Sequence, residues 1–232
     1  MIPLHDDNPT EIAPVVTVAI IAICVLVFLW QISLGGQGLQ ATVYSLGVIP
    51  AVLLNKVDLP AEAVLVPAYL TVITSMFLHG GFMHLAGNML YLWIFGNNVE
   101  DAMGHMRFVI FYLLCGSAAV AGQVLQNPAS EIPMIGASGA ISGVLGAYLL
   151  LYPHARVLVL IPFGFFTQMM YLRAGWVLGL WFVIQILSSL AASSAGGGVA
   201  WFAHIGGFIA GMALIPLFKR RQITLLQPAR RR

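Results

Sequence analysis

Almost every polar group within or beside an apolar stretch of this 232-residue chain sits in one of three short patches. The first runs from His79 to Asn88 and holds His84 and Asn88 four residues apart; the second is Gly136-Ala137-Ser138-Gly139; the third is Ala203-His204-Ile205-Gly206-Gly207. A serine hydroxyl is a poor nucleophile until a base takes its proton, and imidazole titrates near neutral pH, so Ser138 with His204 is the smallest set that performs acyl transfer. On a helix, His84 and Asn88 project from one face about 6 Å apart in height and can converge on one atom. With the Ser138 backbone N–H, their side chains are the donors a tetrahedral oxyanion needs. After the first long loop the only acids are Glu100, Asp101 and Glu131, none near His204 in sequence, so the expectation is a dyad whose imidazole is oriented by other contacts. A metal site built on His79, His84 and His204 is not expected, because the patches lack carboxylate or thiolate and i, i+5 spacing suits one helix poorly. No cofactor is expected.

The elements that must position these residues are membrane helices. Hydrophobic residues make up 60% of the chain and charged residues 8%, against about 25% charged in an average soluble domain. Apolar runs broken by polar or Gly/Pro-rich stretches predict six spans, at about 14–33, 82–98, 107–126, 137–152, 174–193 and 200–218, each near the ~20 residues that cross a bilayer core. The fold class expected is an all-α polytopic membrane protein. Residues 1–13 form a short cytoplasmic N-terminus, 14–218 the membrane domain, and 219–232 a basic cytoplasmic tail. The first span follows Asp6, Asp7 and Glu11 without a preceding Lys or Arg, so it reads as a retained helix and not a secretory signal. A long outside loop, about 34–80, carries its own apolar stretch from Ser45 to Leu54 and is expected to lie partly in the membrane interface. Pro153, Pro162 and Gly164 argue against a continuous helix across 153–173. Cys24 and Cys115 fall within spans and read as packing residues. His5, His105 and His154 read as solvated, and His79 as a loop anchor.

Loop charge sets the orientation. With both termini inside, Arg107, Arg156, Arg173, Lys219, Arg220, Arg221 and Arg230 to Arg232 all lie inside, against Lys56 outside, so the positive-inside rule favours N-in and C-in. The second, fourth and sixth spans then enter from the outer face, and the three patches share one depth. Ser138 and His204 fall ~3–10 Å below the outer boundary at 1.5 Å rise per residue. The spacings Gly139-x-x-x-Gly143 and Gly207-x-x-x-Gly211 let the fourth and sixth helices approach closely, as a Ser138–His204 bond requires. Gly136 and Gly139 flank the serine. The basic tail faces the anionic leaflet, and nothing in its composition points to nucleic acid.

From about 70 to 218 these motifs, in this order, resemble the rhomboid family of intramembrane serine proteases: His79-x₄-His84-x₃-Asn88, Gly136-Ala137-Ser138-Gly139, and Ala203-His204-Ile205-Gly206-Gly207-x₃-Gly211, with Glu100, Gly104 and Arg107 after the second span. The resemblance implies a six-helix rhomboid-like bundle with a water-filled cavity, a Ser138/His204 dyad, and His84 and Asn88 at the oxyanion site. It further implies that the partners are the lipid bilayer and transmembrane protein substrates, cut within or beside their membrane helix near the outer face. The alternative is a catalytically silent relative that binds or chaperones transmembrane segments; such relatives usually lack the serine or histidine, and this chain keeps both. Two positions depart from the pattern. Leu70 and Thr71 stand where some rhomboids carry a Trp-Arg pair, and Ser142 stands where some place an aromatic that packs on the catalytic histidine. The fifth helix and the stretch Ser193 to Gly198 are the candidate substrate gate. A compact chain without an Arg/Ser-rich leader reads as a protein of the prokaryotic inner membrane.

Overall fold

The computed structural model describes residues 1–163, 166–191 and 199–228. The expected gate stretch, Ser193 to Gly198, lies outside the described residues, as does the end of the basic tail. In chain order the elements are β1 (Ile2–Asp6), α1 (Val15–Ser33), α2 (Gly35–Leu46), the single turns α3 (Pro50–Leu53) and α4 (Thr71–Thr74), α5 (Phe82–Met103), α6 (His105–Gln126), α7 (Ser138–Leu151), β2 (Arg156–Phe163), β3 (Phe166–Arg173), α8 (Ala174–Ala191) and α9 (Trp201–Phe218). Helices thus occupy all six apolar stretches. Among the described residues α1, α6, α8 and α9 are long and apolar enough to cross a membrane; α5 joins Ala61–Phe77 across a 79° bend as a fifth such unit, and α7 is a shorter apolar helix.

The glycine spacing explains the centre of the bundle. A Cβ on Gly207 would strike the carbonyl oxygen of Gly139, and one on Gly211 would strike that of Gly143, so α7 and α9 meet backbone to backbone. A Cβ on Gly143 would also collide with Cys115 of α6. This is why α7 is the most deeply buried helix, with every residue from Gly139 to Tyr148 enclosed. Cys24 and Cys115 are fully buried free thiols within the packing.

The chain is not all-α. Residues 156–173 form an antiparallel hairpin, and β1 adds to its other side to give the sheet order β1-β2-β3. The Val/Leu/Ile run of β2 suits a pleated strand with one covered face: Val157 and Val159 are buried while Arg156 is exposed. Pro162 stands near the hairpin tip, opposite Thr167, where losing one ladder donor costs little. The prolines signal the break in helix, but the third strand lies about 150 residues away in sequence, and no local pattern discloses that pairing.

Polar residues tie the end of the bundle remote from Ser138. The buried Glu100 carboxylate accepts from Val16 N at 2.9 Å, Thr17 N at 2.7 Å and the Thr17 hydroxyl at 2.7 Å, filling the orphan donors that start α1. His105, expected to be simply solvated, instead pairs with Glu100 through Nδ1 at 2.6 Å. Asp101 accepts from Glu11 N and pairs with Arg220 at 3.0 Å, fastening the entry to α1 to the exit of α9. The turn from α5 into α6 is made by Gly104 at φ +85°, a conformation side-chain-bearing residues resist.

At the opposite end, the long connection between α1 and α5 is held by backbone pairing. Val48 and Met134 exchange N–H···O bonds of 3.0 and 2.7 Å, and Ala51 N donates to Ser130 O. Val48, Ile49 and Ala51 are buried against protein, so the apolar stretch expected in the interface packs largely on its own chain. Thr71 is buried and its hydroxyl bonds Ala68 O at 2.6 Å, while Leu70 is exposed.

Candidate active site

Three helix starts converge here. His84 and Asn88 lie in the first two turns of α5, Ser138 is the first residue of α7, and His204 lies in the first turn of α9. The Ser138 hydroxyl is 2.8 Å from His204 Nε2. The other ring nitrogen, Nδ1, is 2.8 Å from Gln185 Oε1 on α8. Gln185 is 5% exposed, and its Nε2 donates to Trp181 O at 3.3 Å. A carbonyl oxygen only accepts, so the amide nitrogen belongs at the Trp181 end and the amide oxygen faces the histidine. Nδ1 therefore carries the proton, and the Nε2 lone pair is free to accept the serine O–H.

Aromatic rings enclose the imidazole: Trp181 with a centroid separation of 6.0 Å and Trp201 edge-on at 6.1 Å. Ser142, standing where the pattern offers an aromatic, is buried and donates to the Ser138 carbonyl at 2.6 Å. It braces the first turn of α7 and leaves the histidine to the tryptophans and Gln185. Sequence reasoning missed Gln185 and Trp181 because they reach His204 from another helix, the one signal being a lone glutamine in a largely apolar segment, and it missed Trp201 although it stands three residues before His204 on the same helix.

The donors expected for an oxyanion are adjacent. Gly136, at φ +120°, lies so close to α5 that a Cβ on it would stand 2.7 Å from His84 Nε2 and 3.7 Å from Asn88 Nδ2. Only glycine permits both that backbone conformation and that approach. Asn88 Nδ2 is buried with no hydrogen-bond partner among the described residues. His84 Nδ1 accepts a long bond from Gly80 N at 3.4 Å, which leaves Nε2 as the protonated nitrogen, on the Gly136 side. His79 packs edge-on against His84 at 5.2 Å, and its backbone N–H donates to Gln31 of α1 at 3.0 Å, so it fastens the α5 entry to the bundle. Glu100 and Asp101 lie at the far end of α5, more than ten residues and thus over ~15 Å along the axis from Asn88. Among the described residues no carboxylate hydrogen-bonds the His204 imidazole.

The constellation is that of a helical membrane protein with a serine and a histidine in contact, beside a buried asparagine amide that lacks a partner among the described residues. Residues 67–221 match the model of the rhomboid domain, and the chain belongs to the rhomboid family. It is 33% identical over 162 residues to "Rhomboid protein 1, mitochondrial" of Saccharomyces cerevisiae, covering 63% of this chain and 41% of that protein. It is 35% identical over 139 residues to "Rhomboid protease GluP" of Bacillus subtilis, covering 60% of this chain and 24% of that protein. "RHOMBOID-like protein 5" of Arabidopsis thaliana is 39% identical over 77 residues, 33% of this chain and 25% of its own length. The matches thus span less than half the length of these relatives. Family and apolar helices together make it an integral membrane protein of a protease-containing family.

Proposed function

We propose that the protein is an intramembrane serine endopeptidase that cleaves transmembrane substrates within or beside their membrane helix. The observation that carries this reading is the 2.8 Å contact between Ser138 Oγ and His204 Nε2, in the tautomer a general base requires. In the reaction, Ser138 Oγ attacks the scissile carbonyl carbon as His204 Nε2 takes its proton. The developing oxyanion is met by the Ser138 backbone N–H, Asn88 Nδ2 and His84 Nε2–H. Collapse expels the amine, which takes the proton from His204, and water then hydrolyses the acyl-serine by the same steps in reverse. The retained serine-histidine contact favours this reading over a silent binder of transmembrane segments. The start of α7 adds the positive end of a helix dipole on the side where negative charge develops.

The same reading takes α1 and α5 to α9 as six spans with both termini on the cytoplasmic face. The three-stranded sheet and the residue 219–232 tail then lie inside, and the site opens outward. The relatives include mitochondrial, plant and bacterial proteins, which lends no weight to the prokaryotic inner membrane in particular. The test is cleavage of a reporter transmembrane substrate by the reconstituted protein. Ser138→Ala and His204→Ala are each expected to abolish it; product formed equally by wild type and both variants overturns the proposal.

A further inference from the structure

We infer that Gln185 is a positioning residue of the dyad: it holds His204 in the base-competent tautomer, and through it the seating of α8 governs whether the dyad is assembled. This rests on the Ser138–His204 reading above. A neutral imidazole has two tautomers, and only the one protonated on Nδ1 leaves Nε2 able to accept the serine proton. In hydrolases that use a buried acid, a carboxylate enforces this choice. Here an amide does it without placing another charge in a low-dielectric interior, where an ionised group is costly unless paired.

The surroundings leave the task to Gln185. The helices packed on α9 are α6, α7 and α8, and between them they carry one charged residue, Arg107, at the opposite end of α6. His84 of α5 is the titratable group whose charge bears on His204, α7 contributes the Ser138 hydroxyl, and the Trp181 and Trp201 rings stand against the imidazole. Gln185 Oε1 is the hydrogen-bond partner that Nδ1 has.

Gln185 also belongs to neither helix of the dyad. Beyond Leu178 it is the buried residue of α8, whereas Val183, Ile184, Ile186, Leu187 and Leu190 around it face outward. The base of α8 is pinned by Ala174 N to Ala155 O and Gly175 N to Pro153 O, and its middle by Phe182 stacked on Phe208 at 4.3 Å. Tilting the outer part of α8 away from α9 therefore withdraws the Nδ1 acceptor without moving Ser138 or His204.

The test is the pH dependence of kcat/KM for reconstituted wild type, Gln185→Leu and Gln185→Glu on a transmembrane reporter, with Ser138→Ala as the reference for serine-dependent cleavage. Gln185→Leu, which removes the acceptor, is expected to lower kcat at least about 10- to 100-fold with KM nearly unchanged, the cost seen when a metal-bound histidine loses its orienting partner, and up to about 10⁴-fold where the wrong tautomer of a catalytic base results. Gln185→Glu keeps the acceptor and adds a charge, so it is expected to move the acid limb upward by a unit or more while retaining more activity than the leucine variant. A role in packing alone moves neither the limb nor the kcat-against-KM split. A leucine variant within twofold of wild type in kcat, or a glutamate variant with an unmoved acid limb, overturns the inference. The limb stands as the readout if the leucine variant does not fold. Loss of serine dependence in the reference overturns instead the dyad on which the inference rests.

Discussion

Asn88 is a buried amide whose Nδ2 has nothing among the described residues to donate to. Such a group costs free energy in the resting protein unless water or a ligand meets it, and its place beside Gly136 suits it to the proposed oxyanion role. Asn88→Ala is expected to lower kcat by about 10²–10³, the cost of one lost oxyanion donor, with apparent substrate affinity little changed. Steady-state kinetics on a transmembrane reporter decide this; an unchanged kcat takes Asn88 out of the site. His84 and Asn88 divide the work differently. The asparagine presents a donor outright, whereas His84 presents one only because Gly80 occupies its other nitrogen.

At the level of elements, the Ser138–His204 contact is a by-product of how closely α7 and α9 pack. The serine and histidine stand at one end of a seam in which Gly207 meets Gly139 and Gly211 meets Gly143. Gly211→Val adds volume one turn deeper, away from every reacting atom, where the obstruction is a backbone carbonyl that cannot rotate aside. Overpacking of this kind costs about 1–3 kcal/mol. We expect a lower unfolding midpoint in micelles together with reduced cleavage, because parting the helices lengthens the Ser138–His204 contact. A variant with wild-type midpoint and wild-type turnover refutes this account of the seam. Glu100 has the corresponding role at the other end, fixing the start of α1 to α5 through three accepted bonds.

Over the whole molecule, the N-terminus closes back on the connection between α7 and α8. Asp7 pairs with Arg156 at 2.7 Å, and the Tyr148 hydroxyl donates to the buried Asp6 carboxyl at 2.6 Å. Burial pushes the Asp6 carboxyl up from 3.8 to about 6, the bond from Tyr148 and the neighbouring His5 only partly offsetting it. A carboxyl raised in the folded state favours the protonated form. Its contribution to docking β1 is therefore full below pH ~4 and is lost as pH rises through about 6. Hydrogen exchange at the β1 amides, corrected for intrinsic rates, is expected to show weaker protection at pH 7.5 than at pH 4.5. Asp6→Asn should flatten that dependence. Equal protection at both pH values would falsify the assignment.

Much of this was legible in the chain before any coordinates. Low charge and apolar runs of bilayer length prescribe helices, because in hydrocarbon the backbone must satisfy its own hydrogen bonds, and each of the six runs is helical. Ser138, His204, His84 and Asn88 could be singled out because polar groups are costly among so many apolar ones, and Gly139, Gly143, Gly207 and Gly211 because small residues four apart mark a close helix pair. What only the tertiary structure decided are contacts between residues far apart in sequence that carry no local periodicity. Gln185 reaches His204 from a third helix, Val48 pairs with Met134, and β1 joins a hairpin that begins 150 residues later. Sequence determined which groups could do the chemistry; packing decided which nitrogen of His204 holds its proton, and so which one faces the serine.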